Sequence, residues 1–198
     1  GKSTLAKLLI GLEKPSQGQV LLDGQPYSVK KSGVRILLVF QDSLHSVNPH
    51  FTVEQVLTEA LPKDVAREEI EAILEDVGLD KSYLSQPARQ LSGGQLQRIC
   101  IARGLLLKPD ILIFDEALSG LDPIVQGRLL RLLYDLWEKY QLTYLFISHD
   151  FKLSYALCHR ILVMADGEIV DEIKDFELPI QAHHPVTKKL IGDKGHFS

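Results

Sequence analysis

Cysteine is scarce in this chain: two residues in 198, Cys100 and Cys158, each in an apolar setting. Neither has a neighbour at the spacing of a zinc site. The expectation is two reduced thiols of a cytoplasmic protein, not a disulfide framework. Long apolar runs are missing too. Stretches such as Ile36 to Phe40 fall far below the roughly 18–20 residues that span a bilayer, so no transmembrane helix is expected and any membrane role must run through a partner. Charge of one sign is not in excess: 22 Lys and Arg against 26 Asp and Glu leave a formal −4. That balance offers no basic surplus for nucleic acid. Internal repeats and low-complexity tracts are absent, and 45% hydrophobic with 24% charged residues is a folded composition. One domain with room for an inserted subdomain fits the length. The chain opens on Gly1-Lys2-Ser3-Thr4, with neither an initiator Met nor the charged, apolar and small-residue succession of a signal peptide.

Apolar periodicity organises the rest. Leu5, Leu8, Leu9 and Leu12 sit at helical spacing within a helix expected over Gly1 to Leu12, with Gly11 near its end. Strand-like runs follow at Gln19–Leu22, Arg35–Phe40, Ile111–Phe114, Thr143–Ile147, Arg160–Met164 and Glu168–Ile173. Several are almost continuously apolar, the texture of strands buried on both faces by helices, which predicts a largely parallel α/β sheet. Asp23-Gly24 and Asp166-Gly167 predict small hairpins at its margins. Between residues 42 and 108 the pattern turns helical. Ala66, Ile70, Ile73, Leu74 and Val77 form one apolar face, acidic residues fill the others as a solvated surface, and Gly78 is a natural stop.

Gly1-Lys2-Ser3 matches the final triplet of a phosphate-binding loop, G-x-x-x-x-G-K-[ST]. Glycine lets the backbone approach phosphate, and successive N–H groups at a helix start form an anion cradle. In that role Lys2 meets the β- and γ-phosphates, the Ser3 hydroxyl ligates Mg²⁺, and Thr4 meets the α/β region. Taken alone, the tetrapeptide is equally a polar helix cap. Ile111 to Glu116 is an apolar strand ending in two carboxylates, the Walker B pattern, at the strand end where open α/β sheets bind ligands. Asp115 can hold Mg²⁺ directly or through water, and Glu116 is placed to polarise an attacking water. Alone, this pair also fits an acidic turn after a core strand.

Leu91-Ser92-Gly93-Gly94-Gln95-Leu96-Gln97-Arg98 is more specific. Ser92 is an N-cap candidate, Gly93 and Gly94 permit close backbone approach, and Gln95 leads into a helix, which gives a second anion-binding helix start. With these residues in hand, the chain resembles the nucleotide-binding subunit of an ATP-binding cassette (ABC) transporter. The likeness covers Gly1 to Asp150 in the family's order. It comprises the end of Walker A (Gly1 to Thr4), the Q-loop (Gln41), the signature (Leu91 to Gln95) and Walker B (Ile111 to Glu116). The D-loop (Ser119-Gly120-Leu121-Asp122) and the switch histidine (His149) complete it.

The resemblance implies a P-loop NTPase fold, a mainly parallel core with residues 42–108 as an inserted helical subdomain, and hydrolysis of ATP with Mg²⁺. It implies sites shared by two subunits arranged head to tail, with Walker A and B from one and the signature from the other. Ser92 and Gly94, flanked by Gly93 and Gln95, would then reach the γ-phosphate of ATP held by the partner. By the same resemblance Glu116 is the general base, Gln41 senses Mg²⁺ and the lytic water, His149 contacts the γ-phosphate, and Asp122 communicates across the dimer. Each has a duller reading: His149 as a strand-end histidine, Gln41 as a loop polar group, Asp122 as the N-cap of a helix beginning near Pro123. Asp122 fits cap and contact together.

Val39 to Ser43 followed by Val47-Asn48-Pro49 resembles the oligopeptide, dipeptide and nickel importer group. Asp115-Glu116-Ala117-Leu118-Ser119 departs from the commoner Asp-Glu-Pro-Thr-Ser and is similar to nickel-importer ATPase subunits. His184-Pro185-Val186-Thr187 resembles that group's His-Pro-Tyr-Thr element. The implied role is ATP-driven bacterial uptake of nickel, metal–metallophore complexes or short peptides, at the cytoplasmic face of the membrane. The implied partners are a second, nonidentical ATPase subunit, permease subunits contacted through Gln41 to Phe51, an external binding protein acting indirectly, and no nucleic acid. His183 and His184 read as solvent-facing and not as metal ligands. The competing reading is a soluble ABC ATPase working on ribosomes or DNA, although such proteins usually carry two cassettes or a long coiled-coil insertion. A nonhydrolytic nucleotide switch is a further alternative. The family carries a strand and further glycines ahead of Gly1, so this 198-residue piece on its own is expected to be poorly stable and inactive.

Overall fold

The structure, a computed structural model, describes residues 1–40, 47–61, 65–118, 121–174 and 180–192, with the backbone alone at residues 31 and 40. Helix α1 (Lys2–Leu9) opens the chain. It stops three residues before the expected Leu12, because Gly11 takes a left-handed φ of 75° and a Schellman closure forms there. Leu12 N–H donates to Lys7 O (2.9 Å) and Gly11 N–H to Leu8 O (3.1 Å). The strand expected over Gln19–Leu22 is confined to β1 (Leu21–Leu22). It pairs with β2 (Gln25–Pro26) through Asp23-Gly24, both left-handed as a mirror-type turn requires. One helical turn, α2 (Val29–Ser32), leads to the sheet.

Three parallel strands form the centre in the order β3 (Ile36–Phe40), β4 (Ile111–Asp115), β5 (Thr143–Ile147). The register pairs Ile36 with Ile111 and Ile111 with Thr143, and ends with Phe40, Asp115 and Ile147 side by side. Alternation divides their side chains between two cores. Ile36, Leu38, Ile111, Ile113, Leu145 and Ile147 pack with Ala6 and Leu9 of α1 and with Ile10, its C-cap. Leu37, Val39, Leu112, Phe114, Tyr144 and Phe146 face the larger cluster. Strands with apolar residues on both faces must be covered on both, which is why these runs lack a polar side.

The larger cluster is built by α5 (Gly93–Leu106) and α6 (Pro123–Tyr140) together with α3 (Val53–Thr58) and α4 (Arg67–Asp76). Helix α5 buries residues on most of its circumference and sits so close to β3 that a Cβ on Gly104 would come within 2.7 Å of Leu37 Cδ2. Helix α6 presents Leu129, Leu132, Leu133 and Leu136, a single stripe at helical spacing. Across the sheet, Phe114 stacks on Phe146 at 5.1 Å and meets Tyr144 edge-on at 5.4 Å. The Tyr144 hydroxyl donates to Leu133 O (2.9 Å), and burial pushes this phenol above its ordinary range.

Helix α4 ends where Gly78 predicts, one residue short of Val77. Gly78 has φ 72°, Leu79 N–H closes onto Leu74 O (3.0 Å), and Arg98 from α5 donates to Val77 O (2.5 Å). Asp76 at the end of α4 meets Lys139 Nζ (2.6 Å) and the Tyr140 hydroxyl at the end of α6. After α7 (Phe151–Leu157), strands β6 (Ile161–Ala165) and β7 (Glu168–Ile173) form an antiparallel hairpin around Asp166-Gly167, followed by α8 (Pro185–Ile191). Cys100 is buried and Cys158 half-buried, and neither is in a disulfide among the described residues.

Candidate functional site

Parallel strands deliver their last residues to one edge of a sheet, and here that edge carries the chemistry. β4 ends at Asp115, level with Ile147 of β5. Glu116 continues the ladder by one hydrogen bond, its N–H donating to Ile147 O at 2.9 Å, and then leaves the strand in a left-handed conformation (φ 53°). A non-glycine residue there costs on the order of 1–3 kcal/mol and persists only where its surroundings impose it. β5 runs on into Ser148 and His149. His149 Nδ1 lies 3.0 and 3.1 Å from the two carboxylate oxygens of Glu116. The imidazole side chain is 74% exposed and the carboxylate 27%, so the pair sits at the rim with one open side.

Asp115 differs in kind. Its Oδ1 is buried and has no hydrogen-bond partner among the described residues. A buried carboxylate oxygen left bare is costly unless a cation or ordered water meets it. The donor set fits a hard divalent cation, which takes oxygen ligands.

Two helix starts supply anion-binding geometry. At α1, Gly1 is the N-cap with no side-chain cap, so the first N–H groups have no partner from that residue. Lys2, Ser3 and Thr4 are exposed, and none of their side chains makes a hydrogen bond or ion pair with another described residue. At α5, Ser92 caps the helix in a full capping box. Its hydroxyl accepts from Gln95 N–H (3.3 Å) while Gln95 Oε1 accepts from Ser92 N–H (2.8 Å). Gln95 Nε2 also donates to the Tyr83 hydroxyl at 2.9 Å, so the side chain is fixed from both ends.

Gly93 and Gly94 are the telling residues of this turn. A Cβ at either would meet nothing within 4 Å, and neither has a left-handed φ. Glycine in a helix gives up roughly 0.5–1 kcal/mol relative to alanine. Nothing among the described residues needs that concession, which points to an approach from outside as its use. Asp122 caps α6, its Oδ1 accepting from Ile124 N–H at 2.9 Å, and is itself exposed.

The structure thus brings Asp115, Glu116 and His149 to one edge. It holds Gly1–Thr4 and Ser92–Gln95 as separate helix starts, with no hydrogen bond between them among the described residues. Gln41, and Ser119 and Gly120 of the D-loop, lie outside the described residues. His184 serves as the N-cap of α8, its Nδ1 accepting from Val186 N–H at 3.2 Å. No group of three or more potential metal ligands occurs among the described residues. Sequence reading missed Tyr83, Gln97 and Gln126. Gln97 Nε2 donates to Ala117 O (3.4 Å) and Gln126 Nε2 to Leu118 O (3.0 Å), in the turn directly after Glu116. Gln97 stands within the Leu91–Arg98 run, the one signal that could have drawn attention to it.

Comparison with known proteins gives the family and the fold. The family model described as ABC transporter matches residues 1–119. The chain is 43% identical over a 210-residue alignment to the nickel import ATP-binding protein NikE of Escherichia coli O6:K15:H31, covering 100% of this chain and 72% of that protein. It is 38% identical over 198 residues to the metal-staphylopine import system ATP-binding protein CntF of Staphylococcus aureus, covering 96% and 79%. Among solved structures, cbiO1 from Clostridium perfringens, part of the ABC transporter complex cbiONQ, superposes with a TM-score of 0.78 at 28% identity. That match covers 88% of this chain and 72% of the other.

Proposed function

The chain belongs to the ABC transporter family, and from that premise we propose that it is the ATP-hydrolysing subunit of a membrane importer for nickel or metal–metallophore complexes, with short peptides as the other cargo of the same importer group. The observation that carries the reading is the contact of Glu116 with His149 at the sheet edge, beside Asp115 with its bare buried oxygen. Support for the cargo comes from the nickel and metal-staphylopine import relatives.

In this reading Glu116 accepts a proton from a water whose oxygen attacks the γ-phosphorus, while the bond to the β–γ bridging oxygen breaks to leave ADP and phosphate. His149 holds that carboxylate and faces the γ-phosphate through its exposed side. Lys2 neutralises the β- and γ-phosphates, and the first N–H groups of α1 bind their oxygens. Asp115, Ser3 and Gln41 are the residues that would hold Mg²⁺, whose charge lowers the cost of crowding phosphate oxygens together. Ser92, Gly93, Gly94 and Gln95 act on ATP held by the partner ATPase, and Asp122 sits at that junction. Residues 42–108 form the inserted helical subdomain of a single ATPase domain.

No helix among the described residues is long and apolar enough to cross a membrane. In the proposed importer, attachment at the cytoplasmic face runs through permease subunits, with Gln41 to Phe51 as the contact segment. The test is ATP hydrolysis by the full-length subunit with its ATPase partner and permease in lipid. Nickel, metal–metallophore complexes or peptides are added with an external binding protein. Stimulation by one cargo supports an importer and identifies its substrate. Cargo-independent turnover without a stable membrane assembly would favour a soluble ABC ATPase.

A further inference from the structure

We propose that Gln126 and Gln97 are positioning residues for Glu116, holding the two carbonyls after it and thereby fixing the direction of its carboxylate. The inference rests on the reading of Glu116 as general base. The turn is defined from both sides. On its near side the Glu116 N–H is tied to Ile147 O of β5 at 2.9 Å. On its far side Gln97 Nε2 reaches Ala117 O and Gln126 Nε2 reaches Leu118 O. Only the NH₂ end of an amide can face a carbonyl, so the orientation of both side chains is settled by their acceptors.

The turn is also buried. Ala117 and Leu118 are each 4% exposed, so their carbonyls have little access to water and must be paired within the protein. Between these anchors Glu116 holds the left-handed φ of 53° that points its side chain at His149. A strained conformation of this kind survives where neighbouring bonds over-determine it. The two amides supply that constraint.

Their positions add a second consequence. Gln97 lies just over one turn into α5, the helix capped by Ser92, and Gln126 lies one turn into α6, the helix capped by Asp122. Both helix starts that face the partner subunit in the proposed dimer are thus bonded, one step later, to the backbone that aims the base. A shift of either helix start on docking would be transmitted to Glu116 through an amide-to-carbonyl bond.

The test uses the full-length subunit assembled with its ATPase partner and permease. Gln126→Met keeps length and shape but removes the donor, and Gln97→Met repeats the change on the other helix, so a folding failure of one variant does not end the test. Each should lower kcat by roughly 10- to 100-fold, the cost of misaiming a reacting group, with KM for ATP within about twofold of wild type. In a Glu116→Gln background the same changes should leave the residual rate unaltered, because no base remains to aim. Unchanged kcat, a raised KM at constant kcat, or the same loss in both backgrounds would overturn the inference. Low turnover in Glu116→Gln beside normal kcat in both methionine variants would overturn it alone. Near-normal turnover in Glu116→Gln would overturn the base assignment itself.

Discussion

His149 Nδ1 stands 3.0 Å from Glu116 Oε2, joining the residue just past β4 to the one two places past β5. Neither strand alone could make this pair; the parallel register that sets Asp115 level with Ile147 does. Glu116→Gln keeps size and hydrogen bonding but cannot accept the proton. It should lower ATP hydrolysis in the assembled transporter by about 10²–10⁴-fold while nucleotide binding and the ATP-bound dimer persist. Turnover and nucleotide-binding measurements on the same preparation check both halves.

Asp115 gives a prediction of opposite sign for stability and activity. Its Oδ1 is buried without a partner among the described residues, which burdens the nucleotide-free protein. Asp115→Asn removes the charge at nearly constant shape. The unfolding midpoint without nucleotide should therefore be no lower than that of wild type. Magnesium-dependent ATP hydrolysis should fall by roughly 10–100-fold or more, because on the proposed reading a Mg²⁺ ligand is lost. A lowered midpoint with intact magnesium dependence would assign Asp115 to the fold and not to the cation.

Much of this architecture was open to sequence reading because it rests on local rules. Nearly continuous apolar runs mark Ile36–Phe40, Ile111–Asp115 and Thr143–Ile147 as parallel strands buried on both faces. Gly78 and Gly11 mark helix ends through a backbone conformation that other residues disfavour, although counting leucines carried α1 too far, to Leu12. Ser92 and Asp122 announce caps by residue type alone. What stayed hidden are contacts between positions whose separation encodes nothing. Tyr83 beside Gln95, Asp76 against Lys139 and Tyr140, and the amides of Gln97 and Gln126 on backbone carbonyls are all of this type. A carbonyl acceptor leaves no trace in a sequence, so the donor has no visible partner until the chain is folded.

Gly94 separates folding from function cleanly. Since an added Cβ meets nothing within 4 Å, Gly94→Ala should leave the subunit as stable as wild type, or raise stability by up to about 1 kcal/mol through helix propensity. In the proposed ATPase pair the same methyl group would lie where nucleotide on the partner approaches. Hydrolysis should fall by at least about tenfold, the result of losing close backbone contact to phosphate. Thermal unfolding of the subunit and turnover of the pair, measured side by side, test the contrast. Full activity would leave the glycine unexplained.

Asp171 ties the C-terminal segment to the hairpin and makes stability depend on pH. The residue lies on β7 at 8% exposure and accepts hydrogen bonds from the fully buried Thr187 hydroxyl and from His184 N–H (2.9 Å). Burial pushes its carboxyl up, but the Thr187 hydroxyl, the backbone N–H groups of His184 and His183, and the nearby His183 together hold it below the ordinary carboxylate value. A folded pKa below the unfolded one, about 3.9, means that the unfolded chain takes up the proton first as pH falls. The contribution of Asp171 is therefore complete above that value and is lost as pH drops through it toward the folded pKa. At neutral pH, Asp171→Ala should cost about 1–3 kcal/mol, since the donors from Thr187, His184 and His183 lose their acceptor. Denaturant unfolding of the full-length protein should show this gap closing as pH is lowered into the range where Asp171 is protonated. A gap of equal size at pH 7 and in acid would mean that packing of the side chain, and not its charge, holds the segment.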